Sequence, residues 1–363
     1  MPGLFGLTNI SNKIPHPKHI ITKMQGLLSY YDFYEPGQLF DDSIVYAGYT
    51  HTNITQKNIQ PYSSDNVHVW IDGEIINKEE ICAAEHCTAL HDAQLLHALY
   101  RKYPDFSNYT RIDGIFAVVL YDATKQKIHL ISDRYGLRHL YWAVINQELI
   151  WGSEVKVFVE VPHFKPVIDP RAQNEFFSIG YVLEDKTWFT DVKLLNAGTI
   201  FTWDLRSARN TQSRYWWWDR IKPFQGKLCI KDIVHDLGHL FIDSVKKRCA
   251  SKHRYGILLS GGLDSRSIVA AFPHAEQLVA QTFGKAGCDD IRIASQVSAI
   301  KKIPHIISHI GPHNWLTGRI HGIWMTDGQA HILHLHGIET SVERRKLMEI
   351  NLRGFCGDIV FGG

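Results

Sequence analysis

The sequence lacks a charge excess of either sign, and it lacks long hydrophobic runs. Its 39 Lys and Arg residues nearly balance 37 Asp and Glu residues, which leaves a formal net charge of +2. We therefore expect no broad basic surface for nucleic acid. The longest apolar stretches, such as residues 115–121, are far shorter than the ~20 residues of a membrane span. The first residues also lack the basic and apolar regions of a signal peptide. We expect a cytoplasmic protein that binds neither nucleic acid nor a membrane.

Cysteine is scarce and scattered. The six cysteines stand at positions 82, 87, 229, 249, 288 and 356, and no C-x-x-C pair occurs. We expect reduced, mostly buried thiols rather than a disulfide framework. Two other groups suggest a metal site, namely Cys82, His86 and Cys87, and a cluster of three histidines at 331, 334 and 336. Neither group has the ligand spacing of a known zinc site, so we do not favour a metal at either.

A length of 363 residues with 45% hydrophobic residues is enough for about two packed domains of ~100–200 residues each. In the amino-terminal part, alternating apolar residues predict short strands at 67–71, 116–122, 128–132 and 148–151. Asp72-Gly73 after the first strand predicts a hairpin turn. Helical spacing occurs at 91–103. We predict a sheet-rich α+β domain at 1–205, followed by a linker at 206–228.

From residue 229 onwards, predicted helices and strands alternate. The helices are expected at 230–248, 265–272 and 290–300, and the strands at 255–259, 278–283 and 305–309. Strands separated by single helices at this spacing predict a parallel sheet with right-handed crossovers. We therefore predict a second, α/β domain at 229–363.

The sharpest functional signal is the loop Leu259-Ser260-Gly261-Gly262-Leu263-Asp264-Ser265, between a predicted strand and a predicted helix. Adjacent glycines allow a tight turn, and the serine hydroxyls and the helix N-terminus add donors for a di- or triphosphate. Asp264 repels phosphate, but its carboxylate suits Mg²⁺ bound to phosphate oxygens. No Gly-Lys-Ser/Thr is present, so this is not a Walker A loop. The alternative without function is a glycine-rich turn in which Asp264 caps the helix.

The run Ser-Gly-Gly-Leu-Asp-Ser resembles the pyrophosphatase-type loop of enzymes that cleave ATP to AMP and pyrophosphate. Thr282-Phe-Gly284, Cys288-Asp-Asp290 and the segment 354–363 are similar to asparagine synthetases. The resemblance implies a Rossmann-like nucleotide domain, incomplete at its end. It also implies that Leu259, Phe283 and Gly354 line an adenosine pocket and that Asp264 and Asp358 hold Mg²⁺.

Two departures from the family pattern, Cys356 and Ile359, affect the fine geometry of that last segment. For Asp289-Asp290, stabilisation of a helix N-terminus is favoured over a catalytic carboxylate pair.

Four amino-terminal segments resemble class II glutamine amidotransferase domains in order and spacing. They are Asp72-Gly-Glu-Ile-Ile-Asn77, Asp113-Gly-Ile-Phe-Ala117, Asp133-Arg-Tyr-Gly-Leu-Arg-His-Leu-Tyr141 and Ser153-Glu-Val-Lys156. The resemblance implies an αββα sandwich of the N-terminal-nucleophile hydrolase type, in which Asp133-Arg134 forms a buried ion pair or a turn.

The catalytic parts of such a glutaminase are missing. The family uses an amino-terminal Cys as nucleophile, and Pro2 stands in its place. No Arg occurs near residues 51–54, where the family binds the glutamine carboxylate. Asp72 replaces the Asn that stabilises the oxyanion. The vestigial glutamine site then comprises Asp72, Gly73, Glu74 and Asp92, of which Asp92 keeps the position that binds the glutamine amine.

A glutaminase fold without its chemistry, joined to a synthetase, is similar to β-lactam synthetases and lasso-peptide macrolactam synthetases. We expect an ATP- and Mg²⁺-dependent amide ligase that adenylates a carboxylate, either aspartate or a larger amino-acid or peptide acid. Ammonia or a substrate amine then attacks. The chain stops at Gly363, inside the family's synthetase domain.

The alternatives are a non-catalytic ATP-binding protein or one half of a split synthetase completed by a second chain. A homodimer is a further alternative. A sulfur-transferring, tRNA-modifying enzyme is disfavoured, because no basic patch or C-x-x-C pair occurs.

Overall fold

The computed structural model describes residues 3–55, 59–226 and 229–354. The chain forms two compact units. The first contains Met1–Lys222 with Met325–Ala330, and the second contains Pro223–Trp324 with His331–Gly363. Within the described residues, no helix is long and apolar enough to cross a membrane.

The first unit is built mainly from strands. Its thirteen described strands, β1 to β13 in chain order, are Gly3–Thr8, Glu35–Pro36, Phe40–Asp41, Val45–His51, Tyr62–Ser64, Val67–Ile75, Gly114–Asp122, Lys127–Ser132, Tyr141–Ile145, Glu148–Gly152, Lys193–Leu194, Thr199–Asp204 and Arg209–Arg214. Its helices α1 to α4 are Pro17–Leu28, Lys78–Glu85, Asp92–Lys102 and Pro170–Ile179.

These strands form two stacked sheets with a helix on each outer face. One sheet has the order β11-β9-β10-β1-β4-β2, with β3 also paired to β4, and the other has the order β13-β12-β8-β7-β6-β5. Buried residues of both sheets, including Trp70, Trp151 and Phe201, form one core between them. A second core joins α1 to the outer face of the first sheet, and a third joins α3 to the outer face of the second. The predicted αββα sandwich is confirmed.

Strand β6 corrects one prediction from the sequence. Asp72-Gly73 does not form a hairpin turn, because β6 continues to Ile75 and pairs Asp72 with Ala117 on β7. Gly73 has φ +116°, and a Cβ there would lie 1.9 Å from the carbonyl oxygen of Ile115. The left-handed conformation and the close backbone approach explain a glycine inside a strand.

The second unit is a parallel α/β arrangement. Its helices α5 to α9 are Ile230–Arg248, Leu263–Ala271, Asp289–Lys301, Arg319–Met325 and Ser341–Leu347, and its strands β14 to β17 are Tyr255–Leu258, Leu278–Gly284, His305–His309 and Ile350–Leu352. The sheet order is β16-β15-β14-β17, and every neighbouring pair is parallel. The predicted parallel sheet is confirmed. The bounds predicted for the helix at 230–248 and for the strand at 305–309 are the observed bounds of α5 and β16. Within the predicted linker at 206–228, however, residues 209–214 form a strand paired with β12.

We expect the buried His129 of β8 to make the unfolding free energy depend on pH. Burial lowers the pKa of His129 to about 3, whereas an unfolded imidazole titrates near ~6.5. The unfolded state therefore binds a proton that the folded state excludes. Stability should fall as the pH drops from about 6.5 towards 3, by at most ~1.4 kcal/mol per pH unit.

Urea titrations between neutral and mildly acidic pH check this expectation. His129→Gln should show a shallower loss of unfolding free energy on acidification than the unmodified chain. His19→Gln, at an exposed position on α1, is the matched control and should keep the original slope. Equal slopes for all three proteins would contradict the assignment.

Candidate nucleotide site and vestigial glutamine site

The glycine loop lies at the carboxyl edge of the parallel sheet. Strand β14 ends at Leu258 and helix α6 begins at Leu263, so the loop occupies only four residues. β14 pairs with β15 on one side and with β17 on the other. The chain adds β15 and β16 on one side of β14 and later adds β17 on the other side. Such a topological switch point is where open α/β sheets bind ligands.

Hydrogen bonds within the loop hold it in a turn. The backbone N–H of Ser260 donates to the Ser265 hydroxyl at 3.1 Å, and the N–H of Gly262 donates to the Ser260 hydroxyl at 3.2 Å. Leu259 is buried and donates its N–H to Gln281 of β15. Leu263, by contrast, is 71% exposed. No described side chain caps the N-terminus of α6, so the amides of its first turn are suited to an anion.

Asp290 contacts this loop, which the sequence did not indicate. Its Oδ1 accepts a hydrogen bond from the N–H of Gly261 at 2.7 Å. A Cβ at Gly261 would lie 2.9 Å from the same oxygen, so a larger residue there would require the Asp290 side chain to shift. Asp289 instead pairs with Arg292 at 2.7 Å. The two adjacent carboxylates therefore have different roles and do not act as a pair.

Gly354 brings the end of β17 against Asp264. A Cβ at position 354 would lie 2.6 Å from the Asp264 Cβ, closer than two carbon atoms can pack. The structure thus brings together Asp264 and Gly354 at the switch point. Asp358, the second predicted Mg²⁺ ligand, lies outside the described residues, as do Cys356 and Ile359.

Phe283, the remaining predicted adenosine contact, is half-buried near the carboxyl end of β15. The ring centres of His336 and Phe283 are 6.2 Å apart. Among the described residues, no group of three or more His, Cys, Asp or Glu side chains is placed to hold a metal ion.

The vestigial glutamine site contains a cavity of about 170 Å³ in the first unit. Asp72 and Gly73 line this cavity together with His51 and Arg138. Burial raises the pKa of Asp72, and Arg138, whose Nη1 lies 3.9 Å from Asp72 Oδ2, opposes this rise. No sequence pattern indicated that Arg138 lies beside Asp72. Pro2 lies outside the described residues.

The other two vestigial residues do not line that cavity. Glu74 pairs with Ile115 in the sheet. Asp92 is buried at the start of α3 and accepts a hydrogen bond from the N–H of Ile75 at 2.9 Å. The cavity therefore combines Asp72 with Arg138 rather than with Asp92.

The sequence left two alternatives for Asp133-Arg134, a buried ion pair or a turn, and the structure shows the turn. Asp133 accepts hydrogen bonds from the N–H groups of Phe116, Tyr135 and Leu137. The guanidinium of Arg134 donates to the Thr110 carbonyl at 2.6 Å. Neither contact is an ion pair between the two neighbours.

We expect Asp290 to protect the Gly261 amide from hydrogen exchange. Asp290→Ala should speed exchange at Gly261 about three- to tenfold. A hydrogen bond to a charged group is worth ~1.5–3 kcal/mol, and we expect a smaller effect here because both residues are accessible to solvent. Asp289→Ala removes a neighbouring carboxylate that does not contact the loop, and it should leave this rate unchanged. NMR-detected exchange measures both. The same acceleration in both variants would show a general loosening of α7 and would contradict the specific contact.

Comparisons with known proteins agree with the division of the chain into two units. A family model described as a glutamine amidotransferase domain matches residues 1–216, and one described as asparagine synthase matches residues 236–363. Asparagine synthetase [glutamine-hydrolyzing] 1 of Bacillus subtilis is 26% identical over 341 residues, covering 89% of this chain and 52% of the relative. Asparagine synthetase [glutamine-hydrolyzing] 2 of the same organism is 26% identical, over 74% of this chain and 38% of the relative.

Among solved structures, glutamine phosphoribosylpyrophosphate amidotransferase from B. subtilis is similar with a TM-score of 0.37 and 11% identity, over 84% of this chain and 65% of that chain. The chain spans about half or less of the length of the two curated relatives. The two family models together cover both units, and the first alone covers more than half of the chain. The chain therefore belongs to the asparagine synthetase family, with a glutamine amidotransferase domain followed by an asparagine synthase domain.

Proposed function

We propose that the protein is an ATP-dependent amide ligase that forms AMP and pyrophosphate. The observation that carries this proposal is the glycine loop at the switch point of the parallel sheet. It joins β14 to a helix whose first turn has no side-chain cap among the described residues. The positive end of α6 and the loop hydroxyls suit the phosphates of ATP.

The reaction has two balanced steps. A substrate carboxylate oxygen attacks the α-phosphorus of ATP, the bond from that phosphorus to the bridging oxygen breaks, and pyrophosphate leaves with the electron pair. The nitrogen of ammonia or of a substrate amine then attacks the acyl carbon, AMP leaves, and the nitrogen loses a proton. Loop N–H groups and hydroxyls would stabilise the charge that develops on the phosphates.

Mg²⁺ suits the carboxylate side of this site. Asp264 lies at the start of α6, and Gly354, which precedes Asp358 by four residues in the sequence, lies beside Asp264. In the proposal these two carboxylates hold the ion, which would neutralise phosphate charge when bound.

In the same proposal, glutamine is not the nitrogen source. Pro2 has no thiol or hydroxyl to attack an amide. Asp72 places a carboxyl group where an oxyanion would need a donor. Nitrogen would therefore come from free ammonia or from an amine of the substrate.

Calorimetry with Mg²⁺-ATP tests the nucleotide site in the 363-residue chain. Asp264→Asn should weaken Mg²⁺-ATP binding by about tenfold or more, since it removes a charge that would face the ion. Asp289→Asn, which alters a carboxylate paired with Arg292, is the control and should bind as the unmodified chain does. No ATP binding by the unmodified chain, or equal binding by Asp264→Asn, would refute the assignment. Binding without ATP–pyrophosphate exchange on any candidate carboxylate would favour the non-catalytic alternative.

Glutamine hydrolysis is a separate test of the amino-terminal unit. We expect no glutamate release above the rate without protein, because no nucleophile is available at position 2. Pro2→Ala is the control for contaminating glutaminase and should give the same result. Glutamate release by the unmodified chain that Pro2→Ala abolishes would contradict the proposal.

A further inference from the structure

A polar network is centred on the buried Gln281 of β15. Gln281 is fully buried, and both ends of its side-chain amide are bonded. Its Nε2 donates to the Ser308 hydroxyl at 2.9 Å and to Glu343 at 3.3 Å, and its Oε1 accepts from Arg344 Nε at 3.1 Å. Because a buried amide needs partners for both donor and acceptor, these bonds fix its orientation.

Arg344 extends this network to the turn before α9. Its Nη2 donates to the carbonyl of Gly337 at 2.8 Å and to the Thr340 hydroxyl at 2.9 Å. One guanidinium thus joins β15 to this turn through a planar set of donors, which a lysine could not reproduce.

The turn at Gly337 packs closely against the Phe283 ring. Gly337 has φ +84°, and a Cβ there would lie 2.6 Å from two ring carbons of Phe283. Phe283 is a half-buried aromatic two residues beyond Gln281 on the same strand, next to the strand that leads into the glycine loop. Phosphates bound at the loop would place the rest of a nucleotide along this edge, where an aromatic face can stack on a base.

We infer that Arg344 is a positioning residue for the nucleoside end of the nucleotide site. It acts through the Gly337 turn on the Phe283 ring. The inference rests on the proposed binding of ATP, and it adds a specific role for a side chain outside the glycine loop. Among the described residues, the side-chain hydrogen bonds of this network named above do not reach the glycine loop, so the inference assigns the network no role at the phosphate end.

Binding of Mg²⁺-ATP is compared with binding of Mg²⁺ and inorganic tripolyphosphate, which has no nucleoside. Arg344→Gln removes the guanidinium bridge, and Gly337→Ala forces a methyl group against the ring. Each should weaken ATP binding about tenfold and leave tripolyphosphate binding within about twofold. Lys346→Gln, at an exposed position on α9, also removes one positive charge and should alter neither affinity.

The outcomes distinguish a failure of this inference from a failure of the proposed function. Unchanged ATP affinity in Arg344→Gln and Gly337→Ala would overturn the inference. An equal loss of ATP and tripolyphosphate binding, with a lower melting temperature, would also overturn it by showing a general structural role. Failure of the unmodified chain to bind either ligand would overturn the proposed function, and the inference with it.

Discussion

The parallel pairing of β14 with β15 and β17 is the constraint on which the candidate nucleotide site depends. β15 follows β14 after one helix, whereas β17 comes from much later in the chain. Since neighbouring strands are parallel, the segments that follow them leave at the same edge of the sheet. Only a residue without a Cβ can then pass Asp264 as closely as Gly354 does. A side chain at 354 would therefore displace either α6 or the backbone just beyond β17.

The packing that stabilises the first unit is separate from its predicted glutamine site. Its stability comes from three hydrophobic cores, and the largest side chains between the sheets, such as Trp70 and Trp151, are almost fully buried. Asp72 contributes to one edge of a cavity and to none of these cores. A substitution at position 72 removes no packed apolar area, so the hydrophobic free energy of folding is largely retained. The effect of Asp72 is local, since burial raises the pKa of its carboxyl group.

How much the sequence predicts depends on the range of the interactions. The helix at 230–248 follows from apolar spacing along its own surface, and the glycine loop follows from a strand and a helix that adjoin it. Asp72-Gly73 misleads because the local turn preference is overridden by ladder bonds to β7, forty residues away in the chain. Asp290 and Arg344 are similar cases, because their partners Gly261 and Gln281 are distant in sequence. No local pattern identifies such contacts, since an acid in the first turn of a helix or an arginine in a short helix is common on any surface.

The two departures in the glutamine site reinforce each other in a way that bears on the nitrogen source. A nucleophile at position 2 would produce a tetrahedral oxyanion, and removal of one donor from an oxyanion hole costs ~10²–10³-fold in rate. Here the donor is replaced by an acceptor, and Arg138 lies 3.9 Å from that carboxyl group rather than in direct hydrogen-bonding contact. The side chain at position 72 therefore lacks the N–H donor of an amide, even if a thiol were present. In the proposal, loss of the nucleophile and loss of the donor would each disable the same step, so restoring either position alone would not restore glutamine hydrolysis. A ligase built on this chain would then depend on an amine that reaches the acyl adenylate without an acyl-enzyme, which is the chemistry that the proposal assigns to it.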